Sequence, residues 1–108
     1  MSGKDYLKRI KMIDTQMKNK SIEAEQLKEV SETLAKKVSA EVEELFSERA
    51  KIIKTIEQLS EVEYDVLYKI YVWEKTLYEI AADRDMSYSN VATIHGRALK
   101  RLENLIND

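Results

Sequence analysis

The chain has 108 residues, enough for one small domain or a short domain with a helical arm. It contains no proline, no cysteine and only two glycines, Gly3 and Gly96, so it lacks the turn residues that sheets need and excludes disulfides and cysteine-based zinc sites. Eighteen basic residues against twenty acidic ones give a net charge of -2, unlike a globally basic nucleic-acid coat.

An all-α fold is the resulting expectation, with no cofactor. A single histidine, His95, argues against a histidine-rich metal site. No apolar run reaches the ~18 residues of a membrane span. The first residues, Met1 to Lys11, are basic but lack the continuous apolar stretch of a signal peptide. A cytoplasmic protein without a membrane partner is expected.

From Tyr6 to Leu59 apolar residues recur at helical spacing. Ile10, Ile13, Met17, Ala24, Leu27, Leu34 and Val38 form a heptad seam, with Lys20 and Ser31 at its polar gaps. The step from Val38 to Val42 is four where three is due. The seam then resumes through Leu45, Ile52, Ile56 and Leu59, with Arg49 in register. Such an insertion is a stutter in one long helix or the meeting point of two helices. One helix over 22–59 would span about 57 Å. A reversal near Ser31, Thr33 and Ser39 would instead give a hairpin. A rod would expose its seam and call for a partner, so residues 1–59 are expected to form a coiled-coil or hairpin arm that oligomerises through residues 6–59.

Residues 60–108 predict three shorter helices. Ser60 to Glu63 and Thr76 to Glu79 each have the pattern of a capping box. Tyr64, Leu67, Tyr68, Tyr71 and Val72 make the stripe of the first helix. The second runs to about Arg84. Asp85-Met86-Ser87 forms a tight connection, and Ser87 caps a last helix from Tyr88 to about Ile106. Leu77, Ile80, Ala81, Met86, Val91 and Ile94 have helix-turn-helix spacing, with Asp85 where a left-handed residue is needed. The alternative for this pattern is an ordinary helical hairpin.

On a helical wheel Val91, Ile94, Ala98, Leu102 and Leu105 form the core face of the last helix. Ser89, Ala92, Thr93, Gly96 and Lys100 lie opposite, small or polar and free of acids. Such a face suits a major groove about 12 Å wide. Ser89 and Thr93 can hydrogen-bond base edges, Ala92 can meet a thymine methyl, and Arg97, Lys100 and Arg101 can meet phosphates. Gly96 costs ~1 kcal/mol inside a helix, which suggests close approach by DNA or a helix, or a tolerated blemish. His95 falls at the core edge and is expected to be half-buried with a local hydrogen bond. Tyr71, Trp73, Tyr78 and Tyr88 are expected to pack around the first connection, with Tyr88 alone exposed enough to reach DNA. The full candidate DNA-binding set is Thr76, Tyr88, Ser89, Asn90, Ala92, Thr93, Gly96, Arg97, Lys100 and Arg101.

The run Leu77 to Ala81, Met86-Ser87, Val91, Ile94, Ala98-Leu99 and Leu102 resembles region 4 of bacterial sigma factors, which reads the promoter −35 element. With Tyr6 to Ile10, Ile13-Asp14 and Ile94 to Leu99, the chain resembles small phage-encoded RinA/ArpU-like transcription regulators along nearly its whole length. The resemblance implies a region-4-like helix-turn-helix whose base-facing sites are Tyr88, Ser89, Ala92 and Thr93. Sigma factors carry arginines and an acid among these sites, unlike this chain.

Residues 76–108 hold four basic and five acidic residues. Since phosphate neutralisation supplies much of DNA affinity, a lone module should bind weakly. A dimer, or host RNA polymerase, would supply the remainder. The leading expectation is therefore a phage or prophage transcription regulator that binds double-stranded promoter-like DNA. The alternative is a module that binds RNA polymerase or a phage partner without touching DNA. A small-terminase-like subunit would place its elements in the reverse order. An enzyme is not expected: there is no glycine-rich phosphate loop, and Glu41, Glu44 and Glu48 have the spacing of a solvated face.

Overall fold

A computed structural model describes residues 1–107 and is all-helical, with no strand among them. Its five helices are α1 (Gly3–Leu27), α2 (Glu32–Ile56), α3 (Glu61–Tyr71), α4 (Leu77–Arg84) and α5 (Tyr88–Ile106). Asp108, one of the acids counted in the tail, lies outside the described residues.

The arm is a hairpin. Ser2 caps α1 by accepting from the Asp5 amide at 3.1 Å. The helix ends at Leu27, whose carbonyl accepts from the amides of Val30 and Ser31. Ser31 is extended and starts α2 by accepting from the Leu34 amide. The reversal needs neither glycine nor proline, because Ser31 itself supplies the cap. It falls at residues 28–31, about ten residues before the Val38–Val42 irregularity.

This position shifts the phase of the seam. α2 begins a new helix, so Ala35 and Val38 face α1 while Leu34 stays exposed. The seam's polar positions become cross-links: Lys20 Nζ donates to Glu41 at 2.6 Å, and Arg49 Nε donates to Asp14 at 2.8 Å. Lys20 is raised and Glu41 lowered, each chiefly by their shared hydrogen bond. Such solvent-facing pairs fix register more than they stabilise. Tyr6 and Thr55 share a third rung at 3.1 Å. The seam is thus covered within the chain, and covering it requires no second copy.

The arm and the tail share one core. Leu7, Ile10, Ile13, Ile52 and Ile56 from the hairpin base pack with Leu67 of α3 and with Ala98 and Leu102 of α5. The packing therefore runs continuously across residue 59, and each fully buried Leu or Ile in it contributes roughly 1.5–3 kcal/mol. Gly3 has a specific role in this join. A Cβ placed there would lie 2.6 Å from the Leu99 carbonyl oxygen, so α1 crosses α5 at a distance only glycine permits. Nothing in the local sequence of the N-terminus signals that contact.

A second core of Val66, Ile80, Ala81, Val91 and Ile94 holds α3, α4 and α5 together, with Leu77 and Met86 packed against it. Both capping boxes form, at Ser60 with Glu63 and at Thr76 with Glu79. Asp85 is left-handed, at φ 55° and ψ 47°. Its amide donates to Ala82 and the next amide, of Met86, to Ala81, which satisfies the last carbonyls of α4. Leu105 departs from the expected core face: it is exposed, and Ile106 packs against the core at the end of α5 instead.

Candidate nucleic-acid interface

α5 carries most of the candidate residues. Its start is fixed by Ser87, which accepts from the Asn90 amide at 3.0 Å. Val91, Ile94, Ala98 and Leu102 are buried, and this anchors the helix along its length. The opposite side is therefore turned outward. Ser89, Thr93, Gly96 and Lys100 are exposed there, and Ala92 is half-buried at the margin. The Thr93 hydroxyl donates to the Ser89 carbonyl at 3.0 Å, which leaves its oxygen able to accept. A Cβ at Gly96 would meet nothing within 4 Å, so no part of this chain requires a glycine at that position.

The start of α5 adjoins that of α4. Thr76 is exposed, and its hydroxyl accepts from the Glu79 amide at 3.2 Å, so that oxygen is already engaged. Tyr88 is exposed and stacks on Tyr78, with ring centroids 4.3 Å apart. Tyr78 and Trp73, expected to be packed, are in fact 72% and 58% exposed. Each lies at or just before the first turn of α4, where the chain has no further element to cover it. Tyr78 thus joins the candidate surface through Tyr88. The signal that could have found it is its place at the second residue of α4, mirroring Tyr88 at the first of α5.

The basic residues fall into different environments. Arg84 reaches Asp65 at 2.8 Å and Glu61 at 3.4 Å, tying α4 to α3 rather than facing outward. Arg101 donates to Glu63 Oε1 at 3.2 Å, and Arg97 Nε lies 3.6 Å from Glu63 Oε2. Glu63 itself is 1% exposed. Burial pushes its carboxyl up, but the Ser60 hydroxyl and amide and the two guanidiniums outweigh this and hold it below the ordinary carboxylate range. Its Oε2 has no hydrogen-bond partner. Arg97 and Arg101 remain more than half exposed, so their outer N–H groups are open to solvent while Glu63 orients them. Lys100 makes no ion pair among the described residues.

The other flank of α5 holds His95 and Leu99. His95 is half-buried and shares a 3.0 Å hydrogen bond with the Tyr71 hydroxyl. Burial, then the nearby Lys4 ammonium, lowers its pKa from the ordinary value, so the imidazole is neutral near pH 7. Burial likewise raises Tyr71. Beyond Tyr71 an apolar groove of about 740 Å³ separates α1 from the end of α3, lined by Leu7, Met12 and Ile70 with Lys8 and Lys11 at its edge.

No helix among the described residues is long and apolar enough to cross a membrane, and no three carboxylate or imidazole groups among them converge as metal ligands. No protein-family model, curated protein or solved structure matches the chain.

Proposed function

We propose that this chain is a sequence-specific DNA-binding transcription regulator of phage or prophage type, acting in the bacterial cytoplasm. In this reading α4, the Asp85-Met86 turn and α5 form a region-4-like helix-turn-helix, and α5 enters the major groove. The observation that carries the reading is the outward row Ser89, Ala92, Thr93, Gly96 and Lys100. As far as Lys100 its members are small or polar and none is an acid, with Glu103 following on the same face one turn later, on a helix whose opposite face is buried. Tyr88 and Asn90 extend the row at its start, and Thr76 offers its hydroxyl hydrogen to a phosphate at the start of α4. Arg97, Lys100 and Arg101 meet phosphates.

The role is binding rather than catalysis. Because α1 and α2 cover each other's seam, a homodimer through residues 6–59 would use outer side chains such as Met12, Ile22 and Phe46, all exposed. Host RNA polymerase would supply contacts beyond those of a single chain.

The test is a mobility shift on promoter-containing phage DNA at low and moderate salt. Thr93→Ala with Lys100→Ala is expected to weaken binding at least tenfold, about 1.4 kcal/mol. Unchanged binding would remove the assignment of this face.

A second reading has one specific observation in its favour: Glu63 engages both Arg97 and Arg101. That arrangement suits a module binding RNA polymerase or a phage partner without DNA. Retention of polymerase subunits by the immobilised chain, with none on DNA-cellulose, would favour it.

A further inference from the structure

Residues 76–108 taken alone are a poor phosphate binder: four basic residues oppose five acidic ones, and Arg84 faces α3. The fold changes this balance by bringing a distant segment alongside. Met1 to Lys11 contain Lys4, Lys8, Arg9 and Lys11 against one acid, Asp5. The first turn of α1 is held against α5 at two places: Gly3 sits on the Leu99 carbonyl, and the Asn107 side chain donates to the Met1 carbonyl at 3.1 Å.

The side of α5 that receives α1 is informative. At 100° per residue, Leu99 lies about 80° to one side of the outward row, and Arg97 lies about 80° to the other. Arg97 and Arg101 are oriented on their side by Glu63 of α3. On the opposite side stand His95, Leu99 and the first turns of α1. Lys4 and Lys8 are exposed there and make no ion pair among the described residues, whereas Lys11 pairs with Glu74 at 2.9 Å. Lys8 follows Lys4 by one turn and edges the groove beside Tyr71. A helix in a major groove has a phosphate strand on each side.

We propose that Lys4 and Lys8 of α1 form the second phosphate-contacting flank of the DNA interface, opposite Arg97 and Arg101 across α5. The inference rests on the DNA-binding reading of α5 and assigns the arm's base to that same site. Gly3 is what brings this flank close: with a side chain there, α1 and its lysines would stand away from α5. The partner is duplex nucleic acid, contacted through its backbone, so this flank adds affinity and salt dependence without sequence preference.

The test is a fluorescence-anisotropy titration of the full chain against a labelled random-sequence duplex of about three helical turns, from roughly 50 to 200 mM salt. Lys4→Ala with Lys8→Ala is expected to reduce the slope of log affinity against log salt by about two and to weaken low-salt binding about tenfold. Lys4→Arg with Lys8→Arg should restore both. The comparison pair Lys36→Ala with Lys37→Ala removes two exposed lysines from the far half of the hairpin and should leave the slope unchanged. Equal losses from both alanine pairs, or no loss from the Lys4 and Lys8 pair while the unaltered chain binds, would overturn this inference alone. Absence of salt-sensitive binding by the unaltered chain would overturn it together with the DNA-binding reading.

Discussion

The two ends of the α1–α2 hairpin are built differently. At the base, Leu7, Ile10, Ile52 and Ile56 are fully or almost fully buried against α3 and α5. Toward the tip the buried residues are Ala24, Ala35 and Val38, while Ile22, Val30 and Leu34 are exposed. The base is an integral part of the C-terminal unit, and the tip is two helices held by small side chains and an ion pair. An arm that looks in sequence like a separate oligomerisation module is therefore, for about half its length, part of the core that positions α5.

The largest expected effect contrasts the two ends directly. Ile56→Ala should cost about 2–5 kcal/mol, because its cavity opens in a core drawn from four helices. Val38→Ala near the tip should cost about 1–2 kcal/mol. Urea unfolding followed by far-ultraviolet circular dichroism measures both, and equal losses would erase the distinction. Gly3→Ala comes next. Its new Cβ meets backbone at Leu99 rather than a flexible side chain, so a loss of about 1–3 kcal/mol is expected. The other glycine should behave in the opposite way. Gly96→Ala meets nothing and should raise stability by about 0.5–1 kcal/mol. If α5 lies close to DNA, the same variant should bind DNA more weakly, so thermal melting and a mobility shift should move in opposite directions.

The smallest effect is a pH dependence at the base. Burial and Lys4 depress His95 in the folded state. Its contribution is complete above about pH 6.5 and is lost as the pH falls through the lower folded value, because the unfolded chain takes up the proton first. Melting temperature should therefore decline in that window, and His95→Gln should flatten the decline. Glu63 and Asp65, both held below the ordinary carboxylate range, add their own losses at more acidic pH.

What could be read from sequence was local. The caps at Ser60, Thr76 and Ser87 need only residues three positions apart, and all three form. Ile80, Ala81, Val91 and Ile94 likewise meet in one core, with Leu77 and Met86 against it, because a short turn leaves two helices few ways to pack. The hairpin reversal was less legible: Lys28-Glu29-Val30 contains no turn-specific residue, and continuing the heptad through it puts Leu34 inward in place of Ala35. Gly3 was illegible, since its reason is the Leu99 carbonyl 96 positions away in the chain. The same holds for Glu63, whose capping role was readable but whose hold on Arg97 and Arg101 depends on how α3 and α5 pack. The candidate residues of α5 were legible as a row on a wheel, while the Tyr78 ring beside Tyr88 was not.

In the proposed role, DNA meets the outward row of α5 flanked by the base of the arm. Backbone amide shifts of the isotope-labelled full chain, titrated with duplex DNA, test it most directly. Perturbations should concentrate in residues 87–101 and at Lys4 to Lys8, with residues 20–42 of the hairpin tip unaffected. Perturbations centred on the tip, or none at saturating duplex, would contradict it.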